Sequence, residues 1–327
     1  MRYLTNPSTD PHYNMAFDEF ALQGLSADEP VFCLWQNRPA VIIGLNQSAY
    51  AEVNLPYLES RGIVLARRVT GGGAVYHDLQ NLNYTITGRS RDLEKAYPEY
   101  LHLVIDALRL LGVDAELSGR NDILVDGRKC SGFAKRLYKD RLMVHGTLMF
   151  DVDIEEMTRA LAVPGSKLSA AGIASVRSRV GNLRAYLPQL GDIGAFRDAL
   201  QEILADGDGE LPLTPSQRET IDRDADKKFR TWDWNFGRSP EAAFRKTRKF
   251  PCGTVEARFS LHGGHIKGLT FGGDFLGNLP ASDVESLLEG CRFTQEDLAR
   301  CLDKVSLKQY FDGMTRDAFT GFLLGQS

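Results

Sequence analysis

Between Arg67 and Asp78 the chain reads RRVTGGGAVYHD, and this glycine-rich segment constrains the backbone more tightly than any other part of the sequence. Three consecutive glycines cost conformational entropy on folding, so their presence needs a physical reason. One reason is that glycine lets backbone N–H groups approach an anion without a Cβ atom in the way. The two preceding arginines supply charge for a carboxylate or a phosphate. A tight bend between two strands explains the glycines equally well. The segment fits neither a Walker loop nor GxGxxG.

The sequence on both sides of this segment predicts an α+β fold. Short apolar runs bounded by turn residues predict buried strands, and the alternation over 81–87 predicts a half-buried one. Asp10 followed by Pro11 is a typical helix start, and the clearest amphipathic segment ends at Gly112, a typical residue beyond a helix C-terminus. We therefore expect strands over 31–35, 40–43, 63–67, 81–87 and 142–150, and helices over 12–25, 54–61 and 98–111.

A second motif, at 119–134, lies in a predicted hairpin and reads GRNDILVDGRKCSGFA. The Asp-Gly pair at 126–127, between two short strand segments, predicts a type I′ turn. Asn121 and Asp122 are natural turn residues, although an aspartate close to phosphates is also a candidate magnesium ligand. Lys129 leads into a Ser-Gly turn, where its ammonium group could face a pocket. A lone lysine is by default a solvated surface residue.

The remaining sequence predicts a long loop and a second, smaller domain. Residues 164–180 are rich in Gly, Ala and Ser and show no periodicity, so we interpret them as a loop that becomes ordered around a ligand. An acidic break at 206–212 precedes a basic stretch at 238–249, which we interpret as a connector. Beyond it, a hairpin and three short helical patterns indicate a compact C-terminal domain. The predicted domains are 1–240 and 246–327.

Composition is that of an ordinary globular protein, with 43% apolar and 25% charged residues. The net charge of −4 argues against a nucleic-acid or membrane-surface protein, because such proteins carry a dominant basic field. We find no apolar run of the about 20 residues that a membrane span requires, and we expect no signal peptide. The five cysteines are scattered without metal-ligand spacing, which favours reduced thiols and a cytoplasmic location.

Together the two motifs resemble the two signatures of the lipoate–protein ligase family, in the family's order. The similarity continues in HGTL at 145–148, in GIASVRSRV at 172–180 and in WDWNFG at 232–237. It covers essentially the whole chain, with the layout of the two-domain bacterial enzymes. Two positions depart from the family pattern and bear on the shape of the acyl pocket. Phe133 stands where the family usually has a small residue, and Val144 where a second histidine commonly precedes His145.

The resemblance implies a catalytic domain like those of class II synthetases and biotin ligases, with mixed and antiparallel sheets flanked by helices. A small α+β C-terminal accessory domain follows. Lys129 is the implied catalytic residue, Arg68 is expected to neutralise phosphate, and Asp122 is the candidate ligand of Mg²⁺. His77 is either a ligand contact or a packed histidine. The implied binding site for ATP and lipoyl-AMP comprises Arg68, Gly71, Gly72, Gly73, Ala74, Val75, Tyr76, His77, Asn121, Asp122, Lys129, Ser131, Ala134, His145, Thr147, Ser175 and Val176.

The resemblance also implies the reaction and its partners. The carboxylate of (R)-lipoate attacks the α-phosphate of ATP, with Mg²⁺ as cofactor, to give lipoyl-AMP and pyrophosphate. A lysine of an acceptor then attacks the adenylate, the acceptors being lipoyl domains of 2-oxoacid dehydrogenase E2 subunits and the glycine-cleavage H protein. The loop at 164–180 is expected to close over the adenylate and exclude water. The enzyme is expected to be a cytoplasmic monomer that binds neither nucleic acid nor membranes.

Three other functions are compatible with parts of the sequence. An octanoyl or lipoyl transferase of the same fold uses a cysteine thioester without ATP, and Cys130 is the thiol next to the motifs. On a strand, however, Cys130 alternates away from the face of Lys129. A non-catalytic adenylate-binding regulator is the second alternative, and the presence of Lys129 argues against it. A biotin ligase shares the fold, but its Gly-Arg-Gly-Arg motif is absent here.

Overall fold

The computed structural model of the chain describes residues 1–25, 27, 29–90, 92–118, 122–161, 178–240 and 242–325. These residues form two units. The first contains residues 1–45, 61–161 and 178–231, and the second contains residues 46–60 and 232–325. Most of the predicted loop at 164–180 lies outside the described residues, so that prediction stays untested.

A seven-stranded mixed sheet in the order β1-β2-β6-β10-β9-β8-β7 forms the centre of the first unit. Only the pairing of β1 with β2 is parallel among the described neighbours, and the other pairings are antiparallel. At the β8–β9 turn Asp126 and Gly127 have φ values of 50° and 70°, which confirms the type I′ prediction. The strands are β1 (Arg2–Thr5), β2 (Val31–Trp35), β6 (Asn81–Arg89), β7 (Ala115–Ser118), β8 (Asp122–Val125), β9 (Arg128–Tyr138) and β10 (Arg141–Met149).

Helices of the first unit pack against this sheet and bury its apolar residues. Phe150 and Phe196 stack with ring centroids 5.2 Å apart in the main core cluster. Besides the short helical segments Leu183–Tyr186 and Ala225–Phe229, the described helices are α1 (Pro11–Gln23), α4 (Leu93–Leu110), α5 (Ile154–Ala160), α6 (Ile193–Ala205) and α7 (Pro215–Asp224). The sequence predicted neither α6 nor α7, and it placed the start of α4 at Pro98, which is wrong. Asp92 caps that helix by accepting from the N–H of Lys95, and Pro98 is tolerated inside it because it is exposed.

A second sheet in the first unit holds the glycine-rich segment. Its strands are β3 (Ala40–Ile43), β4 (Val64–Arg67) and β5 (Val75–His77), in the order β4-β3-β5. Strand β3 pairs parallel with β4 and antiparallel with β5. Residues 68–74 therefore cross from one side of β3 to the other, and we call them the glycine loop. The interpretation of the glycines as a tight bend is met, because the loop is a short strand-to-strand connection, whereas anion binding stays a prediction.

The second unit is an antiparallel three-stranded sheet with helices. The strands are β11 (Ala242–Phe250), β12 (Gly253–His262) and β13 (His265–Gly273), and the helices are α2 (Ala49–Glu52), α3 (Leu55–Arg61), α8 (Ser282–Leu288), α9 (Gln295–Leu302) and α10 (Arg316–Leu324). The predicted connector at 238–249 is wrong from Ala242 onward, where β11 begins. Its basic residues follow strand alternation, with Arg245 and Lys249 exposed while Phe244 and Phe250 are half-buried.

Residues 46–60 pack with the C-terminal part of the chain. The ring of Tyr50 lies 5.5 Å from that of Phe293, and both belong to the apolar core of the second unit. The α+β fold class is confirmed, whereas the domain boundaries at 240 and 246 stay a prediction. Within the described ranges no helix combines the length and the apolar character that crossing a membrane requires.

Candidate active site

A cavity of about 210 Å³ opens in the first unit, beside the glycine loop and strands β9 and β10. It brings together ten of the residues that the sequence analysis assigned to the site, namely Arg68, Gly72, Gly73, Ala74, Val75, His77, Lys129, Ala134, His145 and Thr147. The sequence analysis missed the other lining residues, which are Met15, Trp35, Ile42, Asn83, Gly132, Phe133 and Gly146. Gly132, Phe133 and Gly146 lie within the motifs at 119–134 and 145–148, whereas Met15, Trp35, Ile42 and Asn83 lie outside the motifs quoted above.

The remaining predicted site residues do not line this cavity. Tyr76 and Ser131 are buried beside it, and Gly71 belongs to the glycine loop without lining the cavity. Asp122 lies next to the cavity through its ion pair with Lys129. Three further predictions, Asn121, Ser175 and Val176, lie outside the described residues.

The guanidinium group of Arg68 holds the glycine loop together from inside. Its Nη2 donates to the carbonyl oxygens of Gly71 at 2.7 Å and Gly73 at 2.8 Å, and its Nη1 donates to that of Ile42 at 3.1 Å. Its Nε lies 3.0 Å from the hydroxyl oxygen of Thr70. Arg68 is only 6% exposed, and burial lowers its pKa to about 10. These bonds occupy most of the N–H groups of Arg68. Arg68 therefore contributes positive charge to the cavity and few free hydrogen-bond donors.

The backbone N–H groups in the second half of the glycine loop, from Gly71 to Ala74, have no partner among the described residues. No described group accepts a hydrogen bond from the N–H of Gly71, Gly72, Gly73 or Ala74, and the last three line the cavity. Glycine is required at Gly72, where φ is +97° and a Cβ atom would lie 2.8 Å from Nη2 of Arg68. Free backbone N–H groups beside a buried cation are groups that can bind an anion.

His77 contributes a neutral donor to the same cavity. Its Nδ1 lies 3.0 Å from Nδ2 of Asn37, and the amide oxygen of Asn37 accepts from Asn14 at 2.7 Å. The network therefore assigns Nδ1 as the acceptor and places the proton on Nε2, which has no partner among the described side chains. Burial is the main cause that lowers the pKa of His77 to about 3, followed by electrostatic interactions with Arg68 and with the His145 ring. His77 is thus a packed histidine with an unpaired ring nitrogen, and its contact with a ligand stays a prediction.

Lys129 lies at the mouth of the cavity on β9. Its Nζ is 2.7 Å from Oδ1 of Asp122 on β8, and both side chains are about one-third exposed. The described part of the chain holds no group of three His, Cys, Asp or Glu side chains placed to bind a metal ion. A single carboxylate is enough to contact a magnesium ion that arrives bound to phosphates, so Asp122 fits that role once Lys129 turns to a ligand.

Cys130 occupies the opposite face of β9 from the cavity. It is 1% exposed, belongs to the main core cluster, and burial raises the pKa of its thiol to about 12. A buried thiol that stays protonated is a poor nucleophile. The predicted alternation of Cys130 away from Lys129 is confirmed.

Comparison with known proteins identifies the class to which this fold and this cavity belong. Residues 10–205 match the family described as lipoyl protein ligase A/B catalytic domain, and residues 239–323 match the family described as bacterial lipoate protein ligase C-terminus. The chain therefore belongs to the lipoate–protein ligase family and is an enzyme of that class. The resemblance drawn from the two motifs is confirmed.

Individual relatives agree with this assignment. The chain is 39% identical to lipoate-protein ligase LplJ of Bacillus subtilis (strain 168), over 98% of each chain. Among solved structures it resembles the bi-partite lipoate protein ligase of Thermoplasma acidophilum, with a TM-score of 0.67, 30% identity and coverage of 73% of this chain and 97% of that one. It also resembles a lipoate-protein ligase A bound with ATP, with a TM-score of 0.63, 30% identity and coverage of 72% and 98%.

We expect the depressed pKa of His77 to make the stability of the protein depend on pH. The unfolded imidazole titrates near 6.5 while the folded one titrates at about 3, so below about pH 6.5 only the unfolded chain gains the proton. The free energy of unfolding then falls as the pH falls. Between about pH 7 and pH 5 this group contributes about 2 kcal/mol of the loss. Urea unfolding of wild type and His77→Asn at both pH values measures it, since the variant lacks this contribution.

The exposed His262 supplies the matched control, because His262→Asn removes an imidazole that is accessible to water in the folded protein. We expect this variant to keep the wild-type pH dependence. Equal pH dependence in wild type and His77→Asn contradicts the assignment of a neutral His77.

Proposed function

We propose that this chain uses ATP to activate lipoate as lipoyl-AMP and then transfers the lipoyl group to a lysine of an acceptor protein. The observation that carries the proposal is a single cavity that combines the buried cation of Arg68, the free N–H groups of the glycine loop and the ammonium group of Lys129. A carboxylate and a triphosphate are the anions that such a cavity has to hold together. The ATP bound in the similar ligase A structure supports the same assignment.

In the first step, a lipoate carboxylate oxygen bonds to the α-phosphorus of ATP and pyrophosphate leaves. Both reacting groups are negative, so a cation between them lowers their mutual repulsion and stabilises the charge that builds up in the transition state. Lys129 is the mobile cation at this position, because its side chain is one-third exposed and its partner Asp122 is a surface-accessible carboxylate. The N–H groups of Gly72, Gly73 and Ala74 bind phosphate oxygens.

In the second step, the acceptor amine attacks the acyl carbon of lipoyl-AMP and AMP leaves. The amine must lose a proton to become a nucleophile, and that proton goes to solvent or to the departing AMP phosphate. The adenylate stays available for this attack because the apolar part of the cavity is lined by the buried residues Met15, Trp35, Ile42 and Phe133, which restrict the access of water there. Asp122 would be the protein contact of the magnesium ion that accompanies ATP, and that ion would neutralise part of the phosphate charge.

The apolar part of the cavity accommodates the lipoyl tail. Met15, Trp35, Ile42 and Phe133 line it, and they are all buried. Phe133 lies opposite Gly146 in the pairing of β9 with β10. Gly146, which pairs with Phe133, and Gly132, which precedes it in the chain, have no side chains. The ring of Phe133 therefore reaches the cavity. Its size therefore sets how deep an acyl chain can enter.

The acceptors that fit this reaction are the lipoyl domains of 2-oxoacid dehydrogenase E2 subunits and the glycine-cleavage H protein. An E2 lipoyl domain accompanies the similar ligase of Thermoplasma acidophilum. ATP as co-substrate and five cysteines without disulfide bonds favour a cytoplasmic enzyme. We propose that it acts as a monomer, in which one chain carries the complete cavity.

The transferase alternative without ATP needs a thiolate in the cavity, and Cys130 is buried on the other face of its strand. The non-catalytic alternative needs a cavity without its central cation, and Lys129 lines it. Neither alternative has an observation in its favour.

Lys129→Ala tests the central cation of the proposed reaction. We expect ATP-dependent lipoylation of an isolated lipoyl domain, read from the acceptor mass, to fall by about 10²- to 10³-fold, as for loss of a preorganised transition-state donor. Lys135→Ala is the matched control, because Lys135 lies on the same strand but rests 3.6 Å over the ring of Tyr97, away from the cavity. Acylation that ignores ATP and survives in Lys129→Ala contradicts the proposal.

Phe133→Ala tests the depth of the acyl pocket. Removing the ring lengthens the apolar slot, so longer straight-chain acids should gain on shorter ones by about fourfold for each methylene newly buried. Pyrophosphate release with a series of fatty acids measures this preference. Leu137→Ala, an exposed substitution on the same strand, should leave the series unchanged. If the chain-length preference of Phe133→Ala equals that of the wild type, the end of the acyl chain does not lie at Phe133.

A further inference from the structure

A buried carboxylate of helix α1 connects to the glycine loop through a histidine. Asp18 is 1% exposed, and its Oδ2 lies 2.7 Å from Nδ1 of His145 on β10. The other ring nitrogen of His145, Nε2, lies 2.7 Å from the hydroxyl oxygen of Thr70 in the glycine loop. Asp18 is not among the cavity-lining residues, whereas His145 is. None of the steps proposed above uses this connection.

The neighbouring donors fix the direction of each hydrogen bond. Trp35 Nε1 donates to the Thr85 hydroxyl oxygen at 3.0 Å, and that hydroxyl in turn donates to Oδ1 of Asp18 at 2.6 Å. Asp18 thus acts as an acceptor, and Nδ1 of His145 donates to it. Because the Thr70 oxygen accepts from Nε of Arg68, its hydroxyl proton is directed to Nε2 of His145.

Thr70 is also the point at which Arg68 meets this chain. Nε of Arg68 donates to the Thr70 hydroxyl oxygen at 3.0 Å while that hydroxyl donates to His145. The bonds therefore run in one direction, from the buried cation Arg68 through Thr70 and His145 to the buried carboxylate Asp18. The carboxylate of Asp18 thus offsets part of the charge of Arg68 without touching it. The side chain of Thr70 is held by Arg68 on one side and by His145 on the other.

Thr70, His145 and Asp18 are hydrogen-bonded in the order of a catalytic triad, but the hydroxyl group of Thr70 is buried. A nucleophilic hydroxyl has to reach the reacting carbon, yet Thr70 is 1% exposed and does not line the cavity. Its oxygen also accepts a hydrogen bond from the Arg68 cation, which lowers its nucleophilicity. The geometry assigns the chain to the shape of the loop and not to covalent chemistry.

We propose that Asp18 is a positioning residue that holds the glycine loop in its anion-binding shape through His145 and Thr70. As a carboxylate, Asp18 selects the tautomer and the ring orientation of His145, and His145 then holds Thr70. The backbone of Thr70 is tied to the rest of the sheet as well, since its carbonyl oxygen accepts from the N–H of Leu45 at 2.8 Å. This inference rests on the proposed function only in naming ATP as the anion.

Asp18→Asn keeps the size of the side chain but lets the amide donate to Nδ1, which reverses the bond order along the chain. Thr85→Val is the matched control, because it also removes one hydrogen bond from Asp18 but leaves the connection to His145 and Thr70 intact. Both variants should lose some thermal stability. Hydrogen exchange at the amide of Leu45 separates them without any ligand, and we expect faster exchange in Asp18→Asn than in Thr85→Val.

Nucleotide affinity gives the second readout. We expect Asp18→Asn to weaken ATP binding, measured by calorimetry, by about 10- to 100-fold, the range for a lost hydrogen bond to a charged group, while Thr85→Val stays within about threefold of wild type. Thr70→Val should weaken binding similarly, and the double variant Asp18→Asn with Thr70→Val should be no weaker than either single variant, because both changes break one chain.

Each outcome distinguishes the two proposals. Equal Leu45 exchange in Asp18→Asn and Thr85→Val, or multiplicative losses in the double variant, overturns the positioning role of Asp18. If Leu45 exchanges faster in Asp18→Asn than in Thr85→Val but the wild-type protein binds no ATP, the proposed function is overturned and the positioning role stands.

Discussion

The site depends on one buried cation that has no direct carboxylate partner in the described part of the chain. Moving a guanidinium group out of water is costly unless other groups replace its hydration. The carbonyl oxygens of Ile42, Gly71 and Gly73 replace it for Arg68, and in doing so they fix the backbone of the glycine loop. Carbonyl dipoles carry only partial charges, so a positive potential remains at the cavity. An anion that binds there is stabilised by that potential and by the free N–H groups of the same loop.

Side chains along β6 and β10 alternate between two faces of the sheet, so the residues that form the core differ from those that line the cavity. Leu82, Tyr84 and Val144 point into the core cluster that also contains residues of α4 and α6, whereas Asn83 and His145 line the cavity on the other face. A substitution on the cavity face can therefore change the reaction without opening the main core. Phe133 is the exception, since it belongs to that core and also lines the cavity through the gap left by glycines.

Much of the fold could be predicted because its signals are local. The glycine loop, the turn at 126–127 and most strands follow from residue types at fixed spacings. Predictions failed where distant contacts decide the outcome. The basic stretch after Ala242 is a strand because it pairs with β12, and α4 begins before Pro98 because Ala96 and Tyr100 are buried against the sheet.

The candidate site divides in the same way. Lys129 and the glycine loop lie in motifs, and the structure brings them together beside one cavity. Met15, Trp35 and Ile42 are ordinary apolar residues of different elements, and only the tertiary fold brings them together. Asp18 did carry a signal that was not used, since a carboxylate in the middle of an apolar helical segment must either be exposed or find buried partners.

The central claim is that the free N–H groups of the glycine loop bind the anion, under the charge of Arg68. A titration of ¹⁵N-labelled protein with Mg-ATP, followed by amide chemical shifts, tests it most directly. We expect the amides of Gly71 to Ala74 to shift more than those of any other segment and to move downfield, because they form new hydrogen bonds to phosphate. Saturable ATP binding that leaves these four amides unshifted would contradict it.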